Sequence, residues 1–542
     1  MLDIGDWLEK IGLSEHTQCF SEHMIDVSVL RYLTDQDLEN IGIPLGHRRK
    51  ILAAISSAPD PQEAAERRQV TVMFFDLVGS AALSARMDPE DLREIISAYQ
   101  KCVVETVQRF DGFVARYMGD SVLVYFGYPR AHEDDAERAV RAGLELISAA
   151  TALESRAPLQ TRVGIATGLV VVGELIGSGD AEERSIVGQT PNLAARMQGI
   201  AEPNTVVMCE STRKLLGNLF ELKDLGPKDL KGIAGPTRAW AALRASSVAS
   251  RFEALHATGL TALVGRSEES EMLLRRWSRA KSGAGQVVLL SGEAGIGKSR
   301  LTAALEESLA NESHIRLHFF CSPQHTDSAF YPIIGQMELA AGLLPDDTPS
   351  AKLDKLDAML ARTSTSVENA TLFSEMLSLP NDGRYPVLDL TPEQRRQRTL
   401  DALMRQLQVL TRFSPVLIIF EDVHWTDPTS LEAFARTVDR IETLRALLIV
   451  TFRPEFVPPW IGRPYVTALT VNRLTQREAG AMIDNVVGNR VLPASIRQDI
   501  IERTDGIPLF VEEMTKAVLE AESEGAARDL VAAVPSSALA VP

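Results

Sequence analysis

At 542 residues the chain is too long for a single hydrophobic core, and ordinary domain sizes predict three or four domains. Its formal net charge of −17, from 56 Lys and Arg against 73 Asp and Glu, excludes a general binder of nucleic acid or anionic membrane, since both need a basic footprint. Any phosphate must then be held locally, by loops, metals and a few chosen cations. Four widely separated cysteines (Cys19, Cys102, Cys209, Cys321) show no metal-ligand spacing and fit free thiols in a reducing compartment. The opening "MLDIGDWLEK" has no basic segment leading into an apolar one, and no stretch reaches the roughly 18 uninterrupted apolar residues of a membrane helix. The expectation is a cytoplasmic protein without membrane insertion, continuing beyond Pro542 because "AAVPSSALAVP" closes no amphipathic element.

Residues 1–57 alternate short helical patterns with turns, with Trp7, Leu8, Ile11, Leu13, Phe20, Leu30, Leu33, Leu38, Ile41 and Ile43 at three- and four-residue spacing. That pattern predicts an all-α bundle. Its run "LTDQDLENIGI" followed by "GHRRKIL" resembles the SAM (sterile alpha motif) domain, which implies protein association, often with itself. The linker predicted at 58–68, "APDPQEAAERR", carries two prolines and a charge run.

From 69 to 243 strands alternate with helices. Strands are predicted at 70–75, 114–118, 122–126, 162–166, 170–175 and 205–208, and helices at 89–110, 132–153 and 191–200. This is an α+β sandwich, a sheet covered by long amphipathic helices. "VTVMFFDLVGS" ends a strand in Asp76, and "RYMGDSVLVYFG" sets Asp120 in a Gly-Asp turn between strands. Either acid alone reads as a turn cap. If the strands are neighbours, both carboxylates meet at one sheet end and could hold metal, and hard oxygen ligands suit Mg2+ or Mn2+.

The block resembles the class III nucleotide cyclase catalytic domain, of ferredoxin-like α+β architecture. The resemblance implies Asp76 and Asp120 as ligands of two divalent ions per site. The turn Leu77, Val78, Gly79, Ser80 presents backbone N–H groups to phosphate at a helix start. "SIVGQTPNLAARMQG" places Asn192 and Arg196 four apart on one helix face, implying catalytic roles on the ribose and on the transition-state phosphate. "DLKGIAG" places Lys231 on the triphosphate. Arg116 stands where adenylate-type members carry Lys, and Ser185 where Asp or Thr is common. Donor and acceptor there favour ATP over GTP, while the forked, bulkier guanidinium leaves weak base selectivity open. With metal ligands and the Asn/Arg pair on different faces, a single such block implies a homodimer with two composite sites.

A second linker is expected at 244–261, and 262–542 is predicted to be an α/β P-loop NTPase with a helical extension, expected to be truncated at its C-terminus. "GEAGIGKS" follows an apolar strand and matches G-x-x-x-x-G-K-[ST]: Gly292, Gly295 and Gly297 for the loop, Lys298 for the β and γ oxygens, Ser299 for Mg2+. "VLIIFEDVHW" puts Glu421 and Asp422 at another strand end. With "LVGRSEE", "VTFRPE" and "GIPLFVEE", the block resembles STAND-type, AAA-like signalling ATPases, implying a sensor-like role for Arg453 and a turn at Gly506-Ile507-Pro508. The expected function is an ATP-dependent adenylate cyclase regulated by its ATPase module. The alternative is an ATP-driven signalling switch or scaffold whose cyclase-like block turns over weakly.

Overall fold

Residues 4–5, 8, 12–23, 25, 30, 33–57, 66–79, 88–132, 134–153, 159–174, 184–233, 235–246, 262–344 and 346–524 are described in a computed structural model of the chain. The chain divides into two units, Met1–Glu66 with Val171–Ile186, and Arg67–Val170 with Val187–Pro542.

In the first unit, a 3-10 turn (Ser14–His16) leads into α1 (Thr17–Glu22), followed by α2 (Asp35–Asn40) and α3 (Leu45–Ser57). Helix α2 starts where the sequence "TDQD" supplies a capping box: the Thr34 side chain accepts from Asp37 N–H while Asp37 accepts from Thr34 N–H. Leu8, Phe20, Leu38 and Ile51 are fully buried and form the core of this all-α bundle.

The cyclase-like block is built on β1 (Glu66–Leu77), α4 (Pro89–Arg109), β2 (Phe113–Met118), β3 (Ser121–Phe126), α5 (Asp135–Ala152), β4 (Thr161–Glu174), β5 (Arg184–Val187), α6 (Gln189–Ile200), β6 (Thr205–Cys209), α7 (Glu210–Leu216), β7 (Phe220–Lys228) and β8 (Thr237–Ala245). The strand order is β2-β3-β1-β4-β6-β8-β7, with β5 paired to β4. Helices α4 and α5 press Tyr99, Val103, Val107, Val140 and Leu146 onto Phe75, Val124 and Val163 of the sheet. The two strands predicted at 162–166 and 170–175 are one continuous strand, β4. Residues 167–169, left between the two predicted strands, are extended as well, and the buried Thr167 hydroxyl lies 2.9 Å from that of Thr71 and 3.0 Å from that of Thr212. Helix α7 and strands β7 and β8 were not predicted, since β7 is broken by Gly226-Pro227 and its polar face hides the period of two.

The third block has α8 (Ser267–Lys281), β9 (Gln286–Ser291), α9 (Lys298–Leu309), β10 (Ile315–Phe320), α10 (Tyr331–Ala341), α11 (Pro349–Ala361), α12 (Val367–Met376), α13 (Pro392–Phe413), β11 (Val416–Glu421), α14 (Pro428–Arg440), β12 (Ala446–Phe452), β13 (Val466–Thr470), α15 (Gln476–Val487), α16 (Ala494–Thr504) and α17 (Pro508–Glu524). Its sheet is parallel throughout, in the order β10-β11-β12-β9-β13. "VLIIFE" and "ALLIVTF" are buried at every position, as a parallel sheet covered on both faces requires. Helices α15–α17 close a separate apolar cluster around Ile483, Ile500 and Val511. All four cysteines are free thiols, and burial pushes Cys321 upward. Among the described residues no helix is long and apolar enough to cross a membrane.

Candidate functional site

Register alone brings the first two acids together. Strands β1 and β3 run antiparallel with Phe75 opposite Val122, so Asp76 faces Ser121, and the β2–β3 turn sets Asp120 beside it with Gly119 at φ +71°. Ser121 Oγ donates to Asp76 Oδ1 at 2.7 Å, and Gln198 Nε2, from α6, donates to Oδ2 at 3.0 Å. Helix α6 lies this close because position 164 is glycine: a Cβ there would stand 2.0 Å from Gln198 N and 2.3 Å from Ala194 O. Partial burial raises the Asp76 carboxyl above its ordinary range against the lowering hydrogen bond from Ser121, and the neighbouring Asp120 charge raises it further. Beneath the acids, Tyr99 is fully buried and stacked on Phe75 with centroids 5.4 Å apart, and its hydroxyl has no hydrogen-bond partner among the described residues. Burial, then the Asp76 and Asp120 charges, hold that phenol well above its ordinary value. Two adjacent, half-buried carboxylates with oxygen donors around them fit a hard divalent cation.

The other predicted residues lie elsewhere. Asn192 and Arg196 sit on α6 and are exposed. At 100° per residue they point about 120° and 160° away from Gln198, the residue that reaches Asp76. The pair therefore faces away from the acids of its own chain. Arg116 is exposed on β2, just after a register shift between Val114 and Arg116, and Lys231 is exposed after β7. Of the expected phosphate turn, Leu77 is buried, Gly79 takes φ +75°, and the Val78 N–H is spent on the Gln160 carbonyl at 2.7 Å. Val78 is thus not a phosphate donor as folded, contrary to expectation, because the chain after β1 is tied to the start of β4. Ser80 lies outside the described residues, as does the side chain of Ser185. Ser121, Gln198 and Tyr99 were missed. Ser121 adjoins the Gly-Asp turn and was legible as a neighbour, whereas Tyr99 gave only a helix-core signal.

In the third block, Gly295 (φ +70°) and Gly297 (φ +97°) take left-handed backbone so that the loop curls over the start of α9. Lys298 Nζ donates to the carbonyls of Gly292 and Glu293 at 2.8 and 2.9 Å. Glu421 ends β11 buried and accepts from Thr302 Oγ1 at 3.3 Å, and Asp422 takes φ +56° with its N–H on Thr451 Oγ1 at 3.0 Å. The Arg453 guanidinium lies 5.3 Å from the centre of the Trp425 ring. Lys298, Ser299, Glu421, Asp422 and Arg453 all open on one cleft of about 1540 Å³. His424 has both ring nitrogens buried without hydrogen-bond partners among the described residues; burial first, then the Arg453 and Lys298 charges, hold it down to about 3. The loop is fastened from outside: Leu509 N–H donates to Gly295 O at 3.2 Å from the Gly506-Ile507-Pro508 turn, and Arg266 reaches Ile296 O at 3.3 Å and Asn472 O at 2.6 Å. The backbone conformation, a cation and two acids at strand ends fit a nucleotide phosphate with its magnesium.

The two-acid sheet end and the P-loop cleft are two separate candidate sites, each with groups suited to phosphate and a divalent cation. Family models agree with that division. The SAM domain (sterile alpha motif) model matches residues 1–58, the adenylate and guanylate cyclase catalytic domain model residues 62–242, and the AAA ATPase domain model residues 262–450. The chain carries these three domains in that order. An uncharacterised protein of Rhizobium meliloti (strain 1021) is 32% identical over 463 residues, 84% of this chain and 44% of that protein. Adenylate cyclase 1 of the same organism is 32% identical over 177 residues, 31% of this chain and 26% of its own length. The chain thus spans less than half the length of these curated relatives. Among solved structures, the adenylyl cyclase CyaB from P. aeruginosa is 25% identical, covering 34% of this chain and 97% of that one, with a TM-score of 0.32. The guanylyl cyclase Cya2 is 28% identical over 34% of this chain and 95% of that one, also at 0.32.

Proposed function

We propose that the chain converts ATP to cyclic AMP and pyrophosphate at sites shared between two copies of itself, under the control of its P-loop module. One observation carries the reading: Asp76 and Asp120 meet at one sheet end, while Asn192 and Arg196 project from the opposite side of α6. In the reaction the ribose 3′-oxygen forms a bond to the α-phosphorus and the bond to the β-phosphate oxygen breaks. Two Mg2+ or Mn2+ ions held by Asp76 and Asp120 would neutralise phosphate charge and favour the 3′-alkoxide. Ser121 and Gln198 fix the Asp76 carboxylate through both its oxygens. Arg196 of the second copy supplies a fixed positive charge for the phosphate in the transition state, and its Asn192 orients the ribose. Lys231 takes the triphosphate, and Arg116 with Ser185 reads the adenine edge. The relative named adenylate cyclase 1 supports ATP as substrate.

Control by a STAND-type, ATP-hydrolysing P-loop module is supported by the cleft itself. It extends from Lys298 to Glu137 and Arg141 of α5 and Arg244 of β8 in the cyclase domain. Arg244 pairs with Asp346 at 2.6 Å, and burial, then the Arg141 charge, hold His325 down to about 4. A nucleotide at Lys298 would therefore sit on ground common to both domains. Association through the SAM domain would favour pairing of cyclase domains by raising local concentration. The second reading, an ATP-driven switch with a weak cyclase, is favoured by the exposed Arg116 beside a strand irregularity.

Purified protein given Mg2+ or Mn2+ with ATP or GTP, its products read by mass, decides between them. Cyclic AMP that disappears in Asp76→Ala, with ATP hydrolysis retained, is the expected result. ADP as sole product in the wild type would favour the switch, and cyclic GMP alone would overturn the base assignment.

A further inference from the structure

The SAM domain holds a cluster that neither nucleotide site uses. The rings of His16 and His47 meet edge-on, centroids 5.1 Å apart with 67° between their planes. His16 Nε2 and His47 Nδ1 are 2.8 Å apart, and Glu15 Oε1 lies 3.7 Å from the first and 3.4 Å from the second. The same three atoms therefore form a closed triangle of two imidazole nitrogens and one carboxylate oxygen. Among the described residues it is the group of three His, Cys, Asp or Glu side chains whose ligand atoms lie close enough together to share one metal ion.

Tetrahedral zinc with bonds of about 2.0–2.1 Å needs ligand atoms about 3.3 Å apart. The two edges to Glu15 are within about half an ångström of that value, and the His–His edge reaches it by a ring shift of the same size. Two imidazoles and one carboxylate suit zinc or cobalt and disfavour magnesium, which takes oxygen ligands and keeps its waters. Glu15 is 64% exposed, so the remaining position faces solvent and would hold water. His16 closes the 3-10 turn Ser14–His16, whereas His47 lies in the first turn of α3, thirty-one residues on. An ion here would fasten two distant segments of a domain too small to build a large core.

We propose that Glu15, His16 and His47 form a zinc-class metal site that clips the 3-10 turn to α3 of the SAM domain. The test uses the full chain, stripped with EDTA and kept in excess Mg2+ so that the oxygen sites are filled. Titration with Co2+ should give the visible d–d absorption of a low-coordinate ion at one equivalent, removed by Zn2+, and Zn2+ should raise the melting midpoint. His47→Gln keeps an amide to bond His16, and should melt like the wild type in EDTA while binding at least tenfold more weakly. Glu15→Gln, at an exposed position, should weaken binding without altering the metal-free fold, and so decides the matter if the histidine variant folds poorly. The absence of Co2+ absorption in the wild type overturns the site. So does full-strength binding by both variants, which would place the ion on thiols elsewhere.

Discussion

At the scale of single residues, Asp76 is held by partners whose loss should be felt in one activity only. Ser121→Ala or Gln198→Ala removes a side-chain hydrogen bond to Asp76 and leaves the P-loop untouched. Cyclic nucleotide formation should fall about tenfold, as expected for about 1.4 kcal/mol of lost transition-state stabilisation, with ATP hydrolysis unchanged. Steady-state assays of both products check this. His424 sets a second expectation, in stability. Held down to about 3 when folded against 6.5 as its ordinary value, it leaves the unfolded chain binding a proton that the folded chain refuses between those pH values. Its contribution to stability is present above pH about 6.5 and is lost as pH falls toward 3. His424→Leu should flatten that part of the acid-unfolding curve, followed by urea midpoint against pH.

At the scale of elements, two junctions carry more than their sequence suggests. Helix α6 touches β4 backbone to backbone at Gly164, so Gly164→Ala must push α6 outward and draw Gln198 off Asp76. The expected cost is about 3 kcal/mol, with cyclase activity lost at temperatures where the domain still folds. Helix α13 begins with a capping box in which Thr391 and Gln394 satisfy each other's backbone N–H groups. Thr391→Ala should cost about 1 kcal/mol in urea unfolding of the ATPase domain while leaving cyclase turnover intact.

For the whole molecule, the sharing of sites makes a quantitative claim. If Asp76 and Arg196 act from different copies, chains bearing Asp76→Ala and chains bearing Arg196→Ala are each inactive alone. Mixed and allowed to re-pair at random, half of the dimers are hybrids and each hybrid has one intact site of two. Activity should then return to about a quarter of the wild-type level. No recovery on mixing would place Arg196 in the site of its own chain. Between the domains, Arg244→Ala removes the pair with Asp346 at 2.6 Å, though both side chains are substantially exposed. The folding cost should be small, and a change in how ATP at the P-loop alters cyclase rate is the outcome to measure.

The amino-acid sequence alone nominated the candidate residues and the kind of element in which each lies. Asp76 and Asp120 at strand ends, the Gly292–Ser299 loop before a helix, and Glu421-Asp422 after an apolar run are local patterns, legible because chain neighbours dictate turns and strands. Only the tertiary structure decided what those residues meet. Gln198 reaches Asp76 across 122 positions through the missing Cβ at Gly164, and the Val78 N–H goes to Gln160. The partners of β4, β7 and β8, and the cleft between the P-loop and α5, are likewise contacts between distant segments. Periodicity reports whether a side chain is buried, but burial does not name its neighbour; register, helix facing and the closeness of backbone approach do.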